Sequence, residues 1–290
     1  MKVKEIKEFL EKVDNPALLF NKLLVLKYTD KISKGQEIKK NEYIKDFKNT
    51  LQKGETSKPP KVDGYLVKTF KLKTAYRLVI GAGYPSFIEN GFMFHHVYGI
   101  PYIPGETLKG LARSVFLMSI REALKPLTGN DVKLSDIEEK LSEEAANQTL
   151  KNLPQEINII LDEYTIKNPV ETFLKIFGSK KRRGQVIFFD AYPVNFNPSE
   201  NFETDIMNPH YADYYQANKP PADWLNPNPI YFLAIKEGVK FEFNLGLAQL
   251  EPMEKSEETL LLGTAYKLLI IGLENFGVGN KKRKGYGGFK

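Results

Sequence analysis

With 290 residues, 42% hydrophobic and 27% charged, the chain has the composition of an ordinary globular protein with a sizeable core. The absence of cysteine excludes disulfides and cysteine-held zinc and makes the cytoplasm the default location, and the absence of any run of 18 apolar residues argues against a membrane-spanning helix, so no membrane partner is expected. Lys and Arg number 42 against 36 acids, and the net charge of +6 is concentrated in two runs, Lys180-Lys181-Arg182-Arg183 and Lys281-Lys282-Arg283-Lys284, without which the chain would be slightly acidic. The N-terminal segment alternates charged with apolar residues and has no signal-peptide core. Asn15-Pro16 opens a helix that carries apolar residues to Leu26, and 37–49 has a weaker helical pattern. Residues 53–61 have the composition of a linker, which sets a boundary near 60.

Residues 65–80 read as a strand in which Tyr76, Leu78 and Ile80 alternate with Arg77 and Val79, and a short aromatic strand is expected at 92–98. A helix follows from Ile103 to Lys125, stopped by Pro126. Residues 131–163 hold nine acids and three bases, with Ser135 and Glu138 spaced as a capping box, and read as an insertion facing away from nucleic acid. Asn168-Pro169 starts a helix that Gly178 ends. Residues 185–194 read as a buried strand, while 195–229, with six prolines and several aromatics, show no regular period. Two strands, 230–236 and 239–247, are expected to form a hairpin around Glu237-Gly238, and Ser256 to cap a helix reaching about Glu274. A glycine-rich basic loop and a short strand at 286–290 complete the chain. Without its insertions, 65–290 has the βαββαβ order of a ferredoxin-like fold, which hosts many functions.

Two segments carry chemistry. In the first, from Ile103 to Arg113, Pro104-Gly105 makes a turn that frees amides at a helix start, where the dipole favours an anion. Lys109 and Arg113 are four apart and share one face, and Gly110 leaves room for another backbone. In the second, from Gly277 to Gly287, a flexible backbone carries four cations and Tyr286, which is able to stack on a base. It is neither a P-loop nor a dinucleotide fingerprint: no Gly-Lys-Ser/Thr follows at the right spacing, and position 282 is Lys. Glycines border both basic runs. A solvated loop explains each run, and so does a polyanion partner.

A Pro-Gly-x-x-x-Lys-Gly-x-x-Arg helix with a terminal Gly-x-Gly-x5-Gly-x-Gly loop resembles the signature of the RAMP superfamily of CRISPR proteins. Ile176-Phe177-Gly178 followed by 186–191 resembles the strand entry common in that group. The loop Met207-Asn208-Pro209-His210-Tyr211, with Pro221-Ala222-Asp223-Trp224, is similar to that of a subunit of the type III-B (Cmr) RNA-silencing complex. Glu106 departs from the family, which has a small hydroxyl residue there. The resemblance implies an α+β architecture: a ferredoxin-like (RRM-like) βαββαβ RAMP domain over 61–290 with insertions at about 126–170 and 195–229, after a helical N-terminal extension, 1–60. It implies a non-catalytic subunit that holds guide CRISPR RNA near its 3′ end. Target RNA and other Cmr subunits, both RAMP backbone and end-capping, would be its partners in antiviral defence. The signature positions are Gly105, Thr107, Lys109 and Arg113 on the helix and Gly277, Gly279, Gly285 and Gly287 on the loop.

The full RNA-binding set adds Lys180, Lys181, Arg182, Arg183, Lys281, Lys282, Arg283, Lys284 and Tyr286 as phosphate and base contacts. Met207, His210, Tyr211 and Trp224, in a stretch rich in rigid apolar groups and poor in cations, are expected at a protein interface. The rival reading is a RAMP endoribonuclease that processes CRISPR RNA with His95 or His96 as general base, although on a strand these two would face opposite ways. No carboxylate pair has metal-ligand spacing beside a histidine, so neither metal nor cofactor is expected, and Asp190 is expected to bind backbone.

Overall fold

The computed structural model describes residues 3–51, 62, 65–128, 132–143, 150, 152–208, 229–248, 250 and 252–290. Helix α1 spans Val3–Leu10 and α2 spans Pro16–Leu18, the latter capped by the Asn15 side chain, which accepts from the Leu18 amide at 3.0 Å. The chain continues through a wide turn, Leu19–Leu23, and a tight one, Leu24–Tyr28, into α3 (Thr29–Ser33), then α4 (Lys40–Thr50). Buried Phe20 and Phe47 from this region meet Phe94, and Phe47 also meets Phe202, so one hydrophobic core runs from the N-terminal helices into the rest of the molecule.

Strand β8 (Lys240–Leu247) organises the main antiparallel sheet. Phe241, Phe243 and Leu245 are fully buried on one face, while Lys240, Glu242 and Asn244 face the other way. β1 (Leu66–Lys73) pairs along one edge of β8, from Leu66 opposite Leu247 to Lys73 opposite Lys240. β4 (Val186–Phe188) and β5 (Tyr192–Pro193) share the other edge. Phe289 bridges to Thr74, and Lys73 and Lys290 exchange backbone hydrogen bonds beside the end of β1. The buried face is covered by α5 (Gly105–Thr128) and α9 (Lys255–Asn275), which pack closely because Gly272 faces Leu111. Fully burying one phenylalanine such as Phe243 contributes about 1.5–3 kcal/mol.

The insertion between α5 and β4 holds α6 (Leu134–Glu143), a small pair β2 (Glu156–Asn158) and β3 (Thr165–Lys167), and α7 (Pro169–Phe177), which Gly178 ends at φ +80°. A second sheet pairs β6 (Phe202–Met207), which follows the short α8 (Pro198–Asn201), with β7 (Ile230–Ile235). No helix among the described residues is long and apolar enough to cross a membrane.

The architecture corrects several local expectations. The first strand fills only Leu66–Lys73 of the expected 65–80, and Leu78, Val79 and Ile80 do not alternate but are all buried, because Leu78 bridges to Ile235 and the Val79 carbonyl receives the Asn280 amide. Residues 92–98 form no strand; their rings pack among themselves and on Phe20. No hairpin forms at Gly238, since β7 pairs with β6 and β8 with β1, while the Gly238 and Val239 amides both bind Thr74. Residues 185–194 break into β4 and β5, because Asp190 and Ala191 turn to meet the start of α5. β6 occupies part of the stretch read as aperiodic, with Glu203 and Asp205 turned to Arg77. α5 continues past Pro126 to Thr128, α6 starts ahead of Ser135, and α9 starts at Lys255 with Glu254 at its cap. The linker expected at 53–61 lies outside the described residues.

Candidate nucleic-acid interface

The α5 N-terminus is closed by the protein itself. The Asp190 carboxylate accepts from the Gly105 amide at 2.7 Å, which bears out its expected backbone role and supplies the negative group that the helix dipole favours. A Cβ at Gly105 would lie 2.0 Å from the Phe188 carbonyl oxygen, so this glycine is required for close packing against β4. The free helix amides expected to meet a phosphate at this turn are therefore already answered at Gly105.

The Gly277–Gly287 loop is built rather than slack. The Val278 and Gly287 amides donate to Gly287 and Arg77 carbonyls, and the Asn280 amide donates to Val79. Gly277, Gly279, Gly285 and Gly287 all have positive φ. At Gly279 and Gly287 a Cβ would also strike the carbonyl oxygens of Val79 and Val278, at 2.3 and 1.8 Å. Tyr286, expected to stack on a base, instead donates to Asp205 at 2.5 Å and packs its ring on Tyr76 and Phe232. Burial and the Asp205 carboxylate push its phenol well above the ordinary range. Lys281, at φ +61°, places its ammonium 4.7 Å over the Phe232 ring and 3.1 Å from the Met207 sulfur, and burial holds its pKa below the ordinary lysine value.

Between this loop and α5 runs a groove of about 490 Å³, lined by Thr107, Gly110, Leu111, Ser114 and Met118 on the helix and by Phe276–Asn280 and Lys282 on the loop. A Cβ at Gly110 would meet nothing within 4 Å, which leaves the groove open at mid-length. The side chains of Lys282, Arg283 and Lys284 are exposed, and among the described residues they make no hydrogen bond or ion pair. An apolar floor, hydroxyls and the Lys282 ammonium, with exposed Arg283 and Lys284 next to it in the chain, suit a polyanion that carries rings.

A family model described as the RAMP superfamily matches residues 71–290, most of the chain. The chain belongs to the RAMP superfamily. Curated relatives of this RAMP protein include a CRISPR system Cmr subunit Cmr6 from Pyrococcus furiosus, 34% identical over 76% of this chain, and one from Saccharolobus solfataricus, 27% identical over 62%. The chain spans 66% and 45% of the lengths of those proteins. The crystal structure of Cmr6 from Pyrococcus furiosus superposes with a TM-score of 0.51 at 29% identity, over 79% of this chain and 98% of the other. The loop resemblance read from the sequence points to that same sixth Cmr subunit.

In this RAMP protein the groove gathers Thr107, Gly277, Gly279 and Lys282 from the predicted set and leaves others outside it. At 3.6 residues per turn, Lys109 and Arg113 lie on the far side of α5 from Thr107, Gly110 and Ser114. Arg113 pairs there with Glu138 at 2.9 Å, reaches Ser142 at 3.1 Å and covers the Phe173 ring. Burial, then the charge of Arg113, hold the Lys109 pKa below the ordinary lysine value. The acidic insertion also takes Lys180, through Glu143 at 2.9 Å, while Arg182 grips Glu171 with both terminal nitrogens; Lys181 and Arg183 remain exposed. Met207 lies beside the basic loop rather than apart from it, whereas His210, Tyr211 and Trp224 lie outside the described residues.

Groove residues missed by sequence reasoning are Leu111, Ser114, Met118, Phe276, Val278 and Asn280. Helical periodicity was the available signal for the first three, since 107, 110, 111, 114 and 118 share one face. His95 sits in a tight turn in which its Nδ1 accepts from the Val97 and Tyr98 amides at 3.3 and 3.4 Å. Burial and the neighbouring His96 hold its imidazole below the ordinary histidine value. Among the described residues there is no group of three metal-ligating side chains.

Proposed function

We propose that this chain is a non-catalytic RNA-binding subunit of a type III-B CRISPR effector complex. It holds guide RNA near its 3′ end, meets target RNA within the assembly and contacts neighbouring RAMP subunits in antiviral defence. The groove between α5 and the glycine-rich loop carries this reading. It sets Lys282 against an open floor at Gly110, with exposed Arg283 and Lys284 next in the chain and no ion pair on any of the three among the described residues, and such polar groups recognise phosphate and carry no base code. The names of the relatives, each a CRISPR system Cmr subunit, support membership of such a complex. We read the main sheet as ferredoxin-like: from one edge to the other come the C-terminal bridge, β1, β8 and the β4–β5 edge, all antiparallel. The non-catalytic reading is supported at His95. With Nδ1 accepting from backbone, the proton of the neutral ring sits on Nε2, which then has no lone pair to take a proton.

Titrating fluorescent single-stranded RNA at several salt concentrations tests the groove. Replacing Lys282, Arg283 and Lys284 with Gln is expected to lower the magnitude of the log–log salt slope by about 2, at roughly 0.7 per phosphate contact. An unchanged slope with intact circular dichroism makes the run a solvated loop and ends this reading. Incubating precursor and target RNA with the purified chain, with and without divalent metal, tests the absence of catalysis. Cleavage lost in His95→Ala or His96→Ala would establish the endoribonuclease instead.

A further inference from the structure

The face of the main sheet turned away from α5 and α9 carries its own chemistry. Directly opposed residues of neighbouring strands point the same way. Lys71, Glu242 and Tyr192 therefore form one row across β1, β8 and β5, and Lys73 and Lys240 form the next. Lys71 and Glu242 answer each other at 3.0 Å. Lys73 and Lys240 are exposed and, among the described residues, make no side-chain hydrogen bond or ion pair.

Around Tyr192 stands a group of rings. Tyr102 stacks beside it at 6.1 Å, and His95 and Tyr98 approach it at 6.0 and 6.3 Å. His95 stacks in turn with Tyr98 at 4.5 Å and with exposed His96 at 5.0 Å and 16°. The turn that holds them is tied by hydrogen bonds along its length. The Gly99 amide donates to the His95 carbonyl, the His95 amide to Ile100, and Asn15 anchors the Val97 carbonyl. Rings fixed before binding lose little further freedom on contact, and rings have no base preference. Tyr102 lies just before the Gly105 start of α5, the end of the helix from which the groove residue Thr107 also comes.

We infer that the rings of His95, His96, Tyr98, Tyr102 and Tyr192, with Lys73 and Lys240, form a second single-stranded RNA contact: a base-stacking platform on the open sheet face, separate from the groove. The inference rests on the reading of the chain as an RNA binder and adds where bases, rather than phosphates, are held.

Photocrosslinking the purified full chain to mixed-sequence single-stranded RNA containing 4-thiouridine, with mass spectrometric mapping, is expected to mark residues 95–102 or 192 as well as the groove loop. His96→Ala, at an exposed ring with one stacking partner, is expected to weaken binding of the same RNA at least about fivefold, the scale of one stacked base. At a pH where histidine is neutral it leaves the salt slope unchanged. Lys73→Gln with Lys240→Gln is expected to lower that slope by about 1.4, as two phosphate contacts imply. Crosslinks confined to the groove, with His96→Ala binding like wild type, overturn the platform and leave the groove reading standing. Loss of assembly into the complex without loss of RNA affinity in the His96 variant makes the rings a protein contact and overturns it too. Platform crosslinks and losses, with the Lys282, Arg283 and Lys284 variant binding normally, leave the platform and remove the groove. No binding by wild type removes both.

Discussion

Gly110 and Gly287 lie in the same family signature and do opposite things. Gly287 holds φ +78° with the Val278 carbonyl oxygen in the space of a Cβ. Gly287→Ala is expected to cost several kcal/mol in chemical denaturation, since left-handed backbone alone costs roughly 1–2 kcal/mol and the clash adds to it. Gly110 sits inside a helix with nothing near it, so Gly110→Ala is expected to raise stability by about 0.5–1 kcal/mol. The larger Gly110→Leu is expected to fold and to lose RNA affinity, because its side chain enters the groove floor. Asp190→Ala is expected to lower stability by about 0.5–2 kcal/mol through the lost cap, with thermal denaturation as the readout. That Asp190 would bind backbone was legible from its place at the end of a strand. Its partner was not, because Gly105 lies 85 residues away and only the tertiary fold brings them together.

At the scale of elements, α5 separates two environments by its two sides. The groove side presents Thr107, Gly110 and Ser114 beside Leu111 and Met118, while the other faces α6 and α7, whose Glu138 and Phe173 hold Arg113. Lys109→Gln with Arg113→Gln is therefore expected to leave the RNA salt slope nearly unchanged. It lowers stability by about 1 kcal/mol, the scale of a half-buried pair with a cation over a ring. Unchanged stability with a reduced slope would return these cations to the RNA path. The signature motif was legible in the sequence; which of its side chains face the groove was not. Lys109 and Arg113 sharing a face was correctly readable from four-residue spacing, but the identity of that face depends on α6, an insertion read only as acidic. Gly178 and Asn168-Pro169 bounded α7 correctly, because end signals are local. The expected Gly238 hairpin failed because strand pairing is not local: Thr74, far along the chain, claims both amides at that turn.

For the molecule as a whole, phenols set the alkaline limit. Tyr28, Tyr43, Tyr192 and Tyr286 all titrate above the ordinary phenol value of about 10, chiefly through burial, with Asp46, Asp190 and Asp205 adding to the shift at Tyr28, Tyr192 and Tyr286. A raised folded value means that the unfolded chain loses these protons first. Their contribution is complete below about pH 10 and is lost as pH rises through the folded values. Denaturation followed across alkaline pH is expected to show flat stability up to about pH 9 and a decline above 10. Tyr286→Phe should make that decline shallower, since one of the linked phenols is removed.

The pairing of β1 with β8 is completed only late in synthesis. β1 emerges from the ribosome at Leu66–Lys73, and its partner begins only at Lys240. At about 5–20 residues per second, β1 waits roughly ten seconds or more with the apolar faces of Phe70 and Leu72 uncovered. The N-terminal helices, whose contacts with one another lie within the first 51 residues, have no such wait. Stalled nascent chains ending before residue 240 are thus expected to expose β1 to protease and to recruit chaperone. Chains long enough to release Leu247 from the exit tunnel are expected to protect it. Synthesis rate, and not only final stability, is then expected to affect how much of this chain reaches the folded state.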